Sequence, residues 1–156
     1  MNAFDSTHGS HAAALKRKSF TVAEANRALV LVKRIVADII RDYGRLVELQ
    51  EMIETAQAGG RYHGASQAQQ AMVEVAQKLR CCAEEIEDMG VQLQDWSLGI
   101  VDFPCIADDR EICLCWQYGE PRVEYWHELD AGFAGRQPIE ALPIAPDMAE
   151  LFEPTP

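Results

Sequence analysis

The oxygen and imidazole donors between positions 102 and 130 include Asp102, Glu120, Glu124, His127, Glu128 and Asp130. An imidazole with one or two carboxylates is an ordinary ligand set for a divalent metal such as zinc or manganese. The donors best suited to that chemistry are His127, Asp130, Glu120 and Asp102. The run His127-Glu128-Leu129-Asp130 is not the H-E-x-x-H of a zinc protease, which needs a second histidine one helical turn further on. With one histidine in this part of the chain, a metal would lean on carboxylates. The plainer role for His127 is a strand-end imidazole bonded to a backbone carbonyl or a carboxylate.

Arg136 closes the loop Gly132-Phe133-Ala134-Gly135. In so acidic a setting a guanidinium is expected to pair with a carboxylate, Asp130 or Glu128 being nearest in sequence. Left free, it would anchor an anionic ligand beside Gly132 and Trp126. The loop lacks the strand–glycine loop–helix context and the Lys-Ser/Thr ending of a phosphate cradle. Trp116, Trp126 and Phe133 are expected beneath a sheet as core, since no basic groove accompanies them as it would in a base-stacking platform. Cys115 and His127 would form a nucleophile–base pair only if neighbouring strands brought them together. The five cysteines, at 81, 82, 105, 113 and 115, make no C-x-x-C and read as free thiols of a reducing cytoplasm.

Two long helices precede these residues and must support the part of the chain that holds them. Thr21 with Glu24 three residues on is a capping box, and Phe20 precedes the cap. Apolar residues then step by three and four through Val22, Ala25, Leu29, Val32, Val36, Ile39, Tyr43 and Leu46, with polar Gln50 before Ile53. This predicts a helix to about Gln57. Gly59 to Gly64 reads as a breaker. A second seam runs through Met72, Val75, Leu79, Cys82, Ile86 and Met89 to a left-handed cap at Gly90. A short connection makes the two an antiparallel hairpin. Helix 1 also carries Leu31, Ile35, Ile40, Val47 and Leu49 off its seam, which one narrow partner helix cannot cover. A homodimer through the helix 1 apolar face is the expectation.

After Gly90 the period changes to that of strands: Gly99–Cys105, Glu111–Tyr118 and Arg122–His127, joined by the hairpin-length connections 107–110 and 119–121. The fold class expected is α+β, a long antiparallel helical hairpin followed by a small three-stranded antiparallel β-meander. Pro104, without an amide, marks the first of the three strands as an edge. The divisions are an arm at 1–18, the hairpin at 19–90, a β cap with its glycine–arginine loop at 91–140, and a proline-rich irregular tail at 141–156. His8 and His11 in the arm have no scaffold for a metal.

The 156 residues carry a formal charge of -11. Residues 91–156 hold three Lys/Arg against thirteen Asp/Glu, so nearly all of that charge belongs to the cap and tail. Such a surface repels phosphate backbones, and no apolar run is long enough to span a bilayer, so neither nucleic acid nor membrane is an expected partner. The N-terminus has no apolar signal core, and the protein is expected to be cytoplasmic.

The strings IVDFP, LCW-x-x-GEP and YWHELDAGFAGR-x-PI between Gly99 and Ile139, with FTVAEAN at 20–26, resemble the family catalogued as domain of unknown function 2203. The resemblance covers about residues 19–140 and supports the architecture. It implies no activity, but it marks Asp102, Trp116, Glu120, Trp126, His127, Asp130, Gly132 and Arg136 as lying within the matching motifs. The leading functional reading is a self-associating scaffold or binding module whose acidic cap meets a protein partner. The alternative is a divalent-metal-binding protein, or a metal-dependent enzyme, with its site around His127.

Overall fold

A computed structural model describes residues 18–142. The arm before Lys18, with His8 and His11, and the tail from 143 lie outside the described residues. Helix α1 spans Val22–Ala58 and α2 spans Tyr62–Asp88. The capping box is formed as expected: the Glu24 amide donates to Thr21 Oγ1 at 3.1 Å, and the Thr21 amide donates to Glu24 Oε1 at 3.2 Å. Such a cap is worth about 1 kcal/mol. Both helices end with paired amide bonds to the last turn. Gly60 and Arg61 reach Gln57 and Ala56, and Gly90 and Val91 reach Glu87 and Ile86. The left-handed position of each motif falls on a glycine, φ +71° at Gly60 and +83° at Gly90. The breaker is shorter than the sequence indicates, because Tyr62, His63 and Gly64 already form the first turn of α2.

Up to Ile39 the buried residues of α1 follow the expected seam, with Ile35 added. Beyond it Asp42 and Leu49 are buried while Tyr43 and Leu46 are only half-buried; Gln50 is exposed, and Ile53 is buried as the seam expects. The reason lies in the layers. In its first half α1 is covered on two sides, by α2 and by the sheet with its β1–β2 turn, where Val36 and Ile40 meet Gly99 and Tyr43 meets Trp96. Further along, only α2 covers it, and Leu49 and Ile53 form a separate small cluster with Ala68. Of the off-seam residues, Ile35 and Leu49 are buried and Ile40 is partly buried against the core, all within the chain. Leu31 and Val47 remain 50% and 46% exposed.

The sheet has five strands, not three: β1 (Gln92–Asp95), β2 (Ile100–Ala107), β3 (Arg110–Gln117), β4 (Tyr125–Glu128) and β5 (Gln137–Pro138). They follow one another as an antiparallel meander in chain order. The two added strands have four and two residues, too short to show a period-2 pattern. The β2–β3 turn is as tight as expected, with Asp108 and Asp109 at φ +51° and +57°, the backbone of a type I′ hairpin. The β3–β4 connection is longer than expected, running from Tyr118 to Glu124. It is tied to α1 by the Val123 amide donating to Asn26 Oδ1 and by Lys33 Nζ donating to the Pro121 carbonyl.

Pro104 lies in an inner strand, contrary to the edge expected for it. Its missing amide is tolerated because β1 pairs only with Ile100–Asp102. Beyond Asp102 that side of β2 is open, and there the Pro104 carbonyl accepts the Phe20 amide at 2.7 Å. One sheet face packs on α1: Val101, Phe103, Ile112, Leu114, Trp116 and Trp126 share a core with Phe20, Leu29, Val32 and Val36. At the far end the 3-10 turn Ile139–Ala141, capped by Leu142, adds Ile139 and Leu142 to that core.

Candidate metal centre on the outer face of the sheet

Strand alternation turns Val101, Phe103, Leu114 and Trp116 toward the helices, and therefore Asp102, Cys113, Cys115, Tyr125 and His127 away from them. Cys113 and Cys115 are buried, yet neither belongs to the helix-side core. Asp102 stands opposite Cys115 across β2–β3, and Cys113 stands opposite His127 across β3–β4. Asp102, Cys115 and His127 each place one ligand atom within 4.8 Å of the other two. None of the three is more than 3% exposed.

The hydrogen bonds fix how this cluster holds its protons. His127 Nδ1 lies 2.7 Å from the Glu128 carbonyl oxygen. A carbonyl can only accept, so Nδ1 carries a proton and Nε2 faces the cluster. Nε2 lies 3.0 Å from Asp102 Oδ1. That contact joins two buried side chains across β3. Cys115 faces the same carboxylate. Burial pushes its thiol far up, and the Asp102 charge adds to the effect. Burial likewise holds the Cys113 thiol at about 11, with Asp102 again contributing. Without a cation these are protonated thiols, not nucleophiles. Cys115 and His127 do meet, but the thiol is the reverse of activated.

The sheet and hairpin that hold this cluster are the part of the chain that other sequences share. A family model described as "Uncharacterized conserved protein (DUF2203)" matches residues 18–139. The chain belongs to the DUF2203 family. No curated protein and no solved structure matches it.

Within this DUF2203 chain the four expected metal donors separate into two pairs. Asp102 and His127 come together. Glu120 is taken up elsewhere: its carboxylate accepts Arg136 Nη2 at 2.6 and 2.7 Å and the Gln117 amide at 2.6 Å. Asp130 is exposed and contributes nothing to the cluster. Glu124 and Glu128 pair with Arg122 and Arg110 at the surface. The donor that sequence reasoning left out of the metal set is Cys115, and the two-residue β2–β3 turn was the signal that could have placed it opposite Asp102.

Arg136 pairs with Glu120 instead of the nearer Asp130 or Glu128. Its guanidinium lies 4.0 Å from the centre of the Tyr125 ring and 4.6 Å from that of Phe133. Phe133 is therefore not core, contrary to expectation; it is 40% exposed and flanks the cation. Trp116 and Trp126 are core, and their indole N–H groups donate to the carbonyls of Glu120 and Pro138. Gly132 takes φ +61° and starts the short 3-10 turn that leads to Arg136. Trp126 and Gly132 thus help to shape the loop that carries Arg136. Among the described residues, no helix is long and apolar enough to cross a membrane.

Proposed function

We propose that this DUF2203 protein binds one zinc ion through Asp102, Cys115 and His127. The observation that carries the reading is the convergence of a carboxylate, a thiol and an imidazole within 4.8 Å, with the far nitrogen of the imidazole already donating to a carbonyl. That second bond is the usual support of a metal-ligating histidine, since it fixes the tautomer and orients the ring. Zinc–nitrogen and zinc–oxygen bonds of about 2.0 Å at a tetrahedral angle set the two donors about 3.3 Å apart. The observed 3.0 Å between Nε2 and Oδ1 needs only a slight opening. The thiol favours zinc over manganese, whose preference is for oxygen ligands. Donors so deeply buried leave little room for a substrate and suit an ion that holds β2, β3 and β4 together.

Metal-free, tag-free protein titrated with zinc, with bound metal counted by mass spectrometry, tests this. One zinc per chain is expected, with loss on His127→Ala. A folded wild-type protein that takes up no zinc overturns the reading.

Self-association of the hairpin is the second reading, supported by the exposure of Leu31 and Val47. Sedimentation should then show a dimer at micromolar concentration that Val47→Glu dissociates. A wild-type monomer under those conditions removes it.

A further inference from the structure

Asp102, Cys115 and His127 face away from the helices, yet none is more than 3% exposed. The chain between β4 and β5 lies on that same face. Leaving β4, residues 129–136 turn back so that β5 pairs with the start of the strand, Gln137 with Trp126 and Pro138 with Tyr125. Tyr125 is the strand partner of Cys115 and points outward with it. The Arg136 guanidinium lies over the Tyr125 ring at 4.0 Å, with Phe133 against it at 4.6 Å. The end of the loop therefore sits on the outer face beside Cys115. Its charge is felt there: burial and Asp102 raise the Cys115 thiol, Arg136 opposes them, and Glu120 adds to the rise. The start of the loop meets the cluster too, since the Glu128 carbonyl accepts both His127 Nδ1 at 2.7 Å and the Ala131 amide at 3.2 Å.

Little else holds the loop. Its backbone bonds, Ala131 to Glu128, Gly135 to Gly132 and Arg136 to Phe133, are all local. Among the described residues, the only hydrogen bonds from 129–136 to an element other than β4 run from Arg136 Nη2 to the Glu120 carboxylate, at 2.6 and 2.7 Å. Leu129 and Phe133 keep much of their surface in water, at 59% and 40% exposure. A segment with few buried contacts and one anchoring pair opens ahead of the rest of a fold.

We propose that residues 129–136 are a flap over the donor cluster, latched by the Arg136–Glu120 ion pair, and that release of this latch sets how fast the ion enters and leaves. The exchange half rests on the zinc reading above; the flap itself does not. Opening lifts Arg136 from Tyr125 and lets water reach Cys115, while the helix side of the sheet stays packed. Through Ala131 it also loosens the carbonyl that orients His127.

Metal-free protein treated with a thiol reagent under native conditions tests the flap, with Cys105 on the helix side as the internal control. In wild type both thiols should react only at the slow rate of unfolding. Glu120→Gln should speed Cys115 by about 10-fold or more, the size of losing a charge-assisted bond, and leave Cys105 unchanged. Because Glu120 also holds the Gln117 amide, Arg136→Met is the parallel variant, which keeps bulk between the two rings. The two changes alter the charge beside Cys115 in opposite directions, so faster labelling in both reports opening and not electrostatics. Zinc-loaded protein mixed with excess chelator should release its ion faster in both variants, by a similar factor. Cys115 labelled at the wild-type rate in either variant overturns the flap. Cys115 and Cys105 accelerating together overturns it as well, because the whole fold has then loosened. Labelling as expected with unchanged zinc release overturns the exchange half alone. Wild-type protein that binds no zinc removes the zinc reading and that half with it, while the two thiols still decide the flap.

Discussion

The His127 imidazole and the Asp102 carboxylate meet at 3.0 Å on the sheet face turned away from the helices, one on β4 and the other on β2, with β3 between them. Each is nearly sealed from water, at 2% and 3% exposure, so each depends on the other to satisfy its polar atoms. Removing one partner strands the second, and breaking a buried pair from one side costs about 3–5 kcal/mol. His127→Ala should lose that much in urea unfolding with chelator present. The double change Asp102→Val with His127→Leu should cost less than the sum of the two single changes. Strict additivity would show that the two side chains are not coupled.

Gly99 is a point where backbone and packing both demand glycine. Its φ is +68°, and a Cβ there would lie 2.7 Å from Ile40 Cδ1 and Val36 Cγ1 and 2.8 Å from Tyr118 Cβ. Gly60 has a similar φ of +71° with nothing within 4 Å. Gly60→Ala should therefore cost about 1–2 kcal/mol for the left-handed backbone alone. Gly99→Ala should cost a further 1–3 kcal/mol or so for overpacking between helix and sheet. Equal losses in the two variants would contradict this placement of the sheet on α1.

Thiol labelling should divide the cysteines by position. Cys81 is exposed and Cys82 is half-buried, while Cys105, Cys113 and Cys115 are buried. Burial raises Cys105 and Cys113 from 9.0 to about 11, which lowers their thiolate fraction near neutral pH roughly a hundredfold. In metal-free folded protein a thiol reagent should modify Cys81 first and Cys82 more slowly. The three sheet thiols should react only after unfolding. Peptide mapping after timed quenching reads the order directly.

Cys105 links burial to alkaline stability. It sits on the helix side of the sheet, where burial, with a smaller contribution from the Glu24 charge, raises its thiol to about 11. A group whose folded value is raised stabilises the protein fully below its unfolded value of about 9. That contribution is lost as pH rises toward 11. Stability should fall across this window, with about 2 kcal/mol of the fall traceable to Cys105. Cys105→Ala should be less stable at pH 7 and should flatten the decline between pH 9 and 11. An unchanged slope would show that the thiol does not ionise against burial.

The sequence by itself determined the elements whose signals are local. Thr21 and Glu24 set the start of α1, Gly60 and Gly90 set the helix ends, and the three- and four-residue steps set the seam of the hairpin's first half. Capping and periodicity depend only on neighbours a turn away, so they can be read without a fold. One half of the site was equally local. The two-residue turn at Asp108–Asp109 fixes the β2–β3 register and so sets Asp102 opposite Cys115. Only the tertiary structure decided the rest. The connection from Tyr118 to Glu124 sets no register by its length, so nothing in the chain announced that His127 would stand beside Cys113 and reach Asp102. Glu120 and Asp130 looked like equal candidates in sequence. The fold sends Glu120 to Arg136 and leaves Asp130 in water, because a carboxylate's role depends on the cation and the burial it meets. The shift of the α1 seam to Asp42 and Leu49 has a similar origin: the sheet covers only part of the hairpin, and where it stops the helix turns a different face inward.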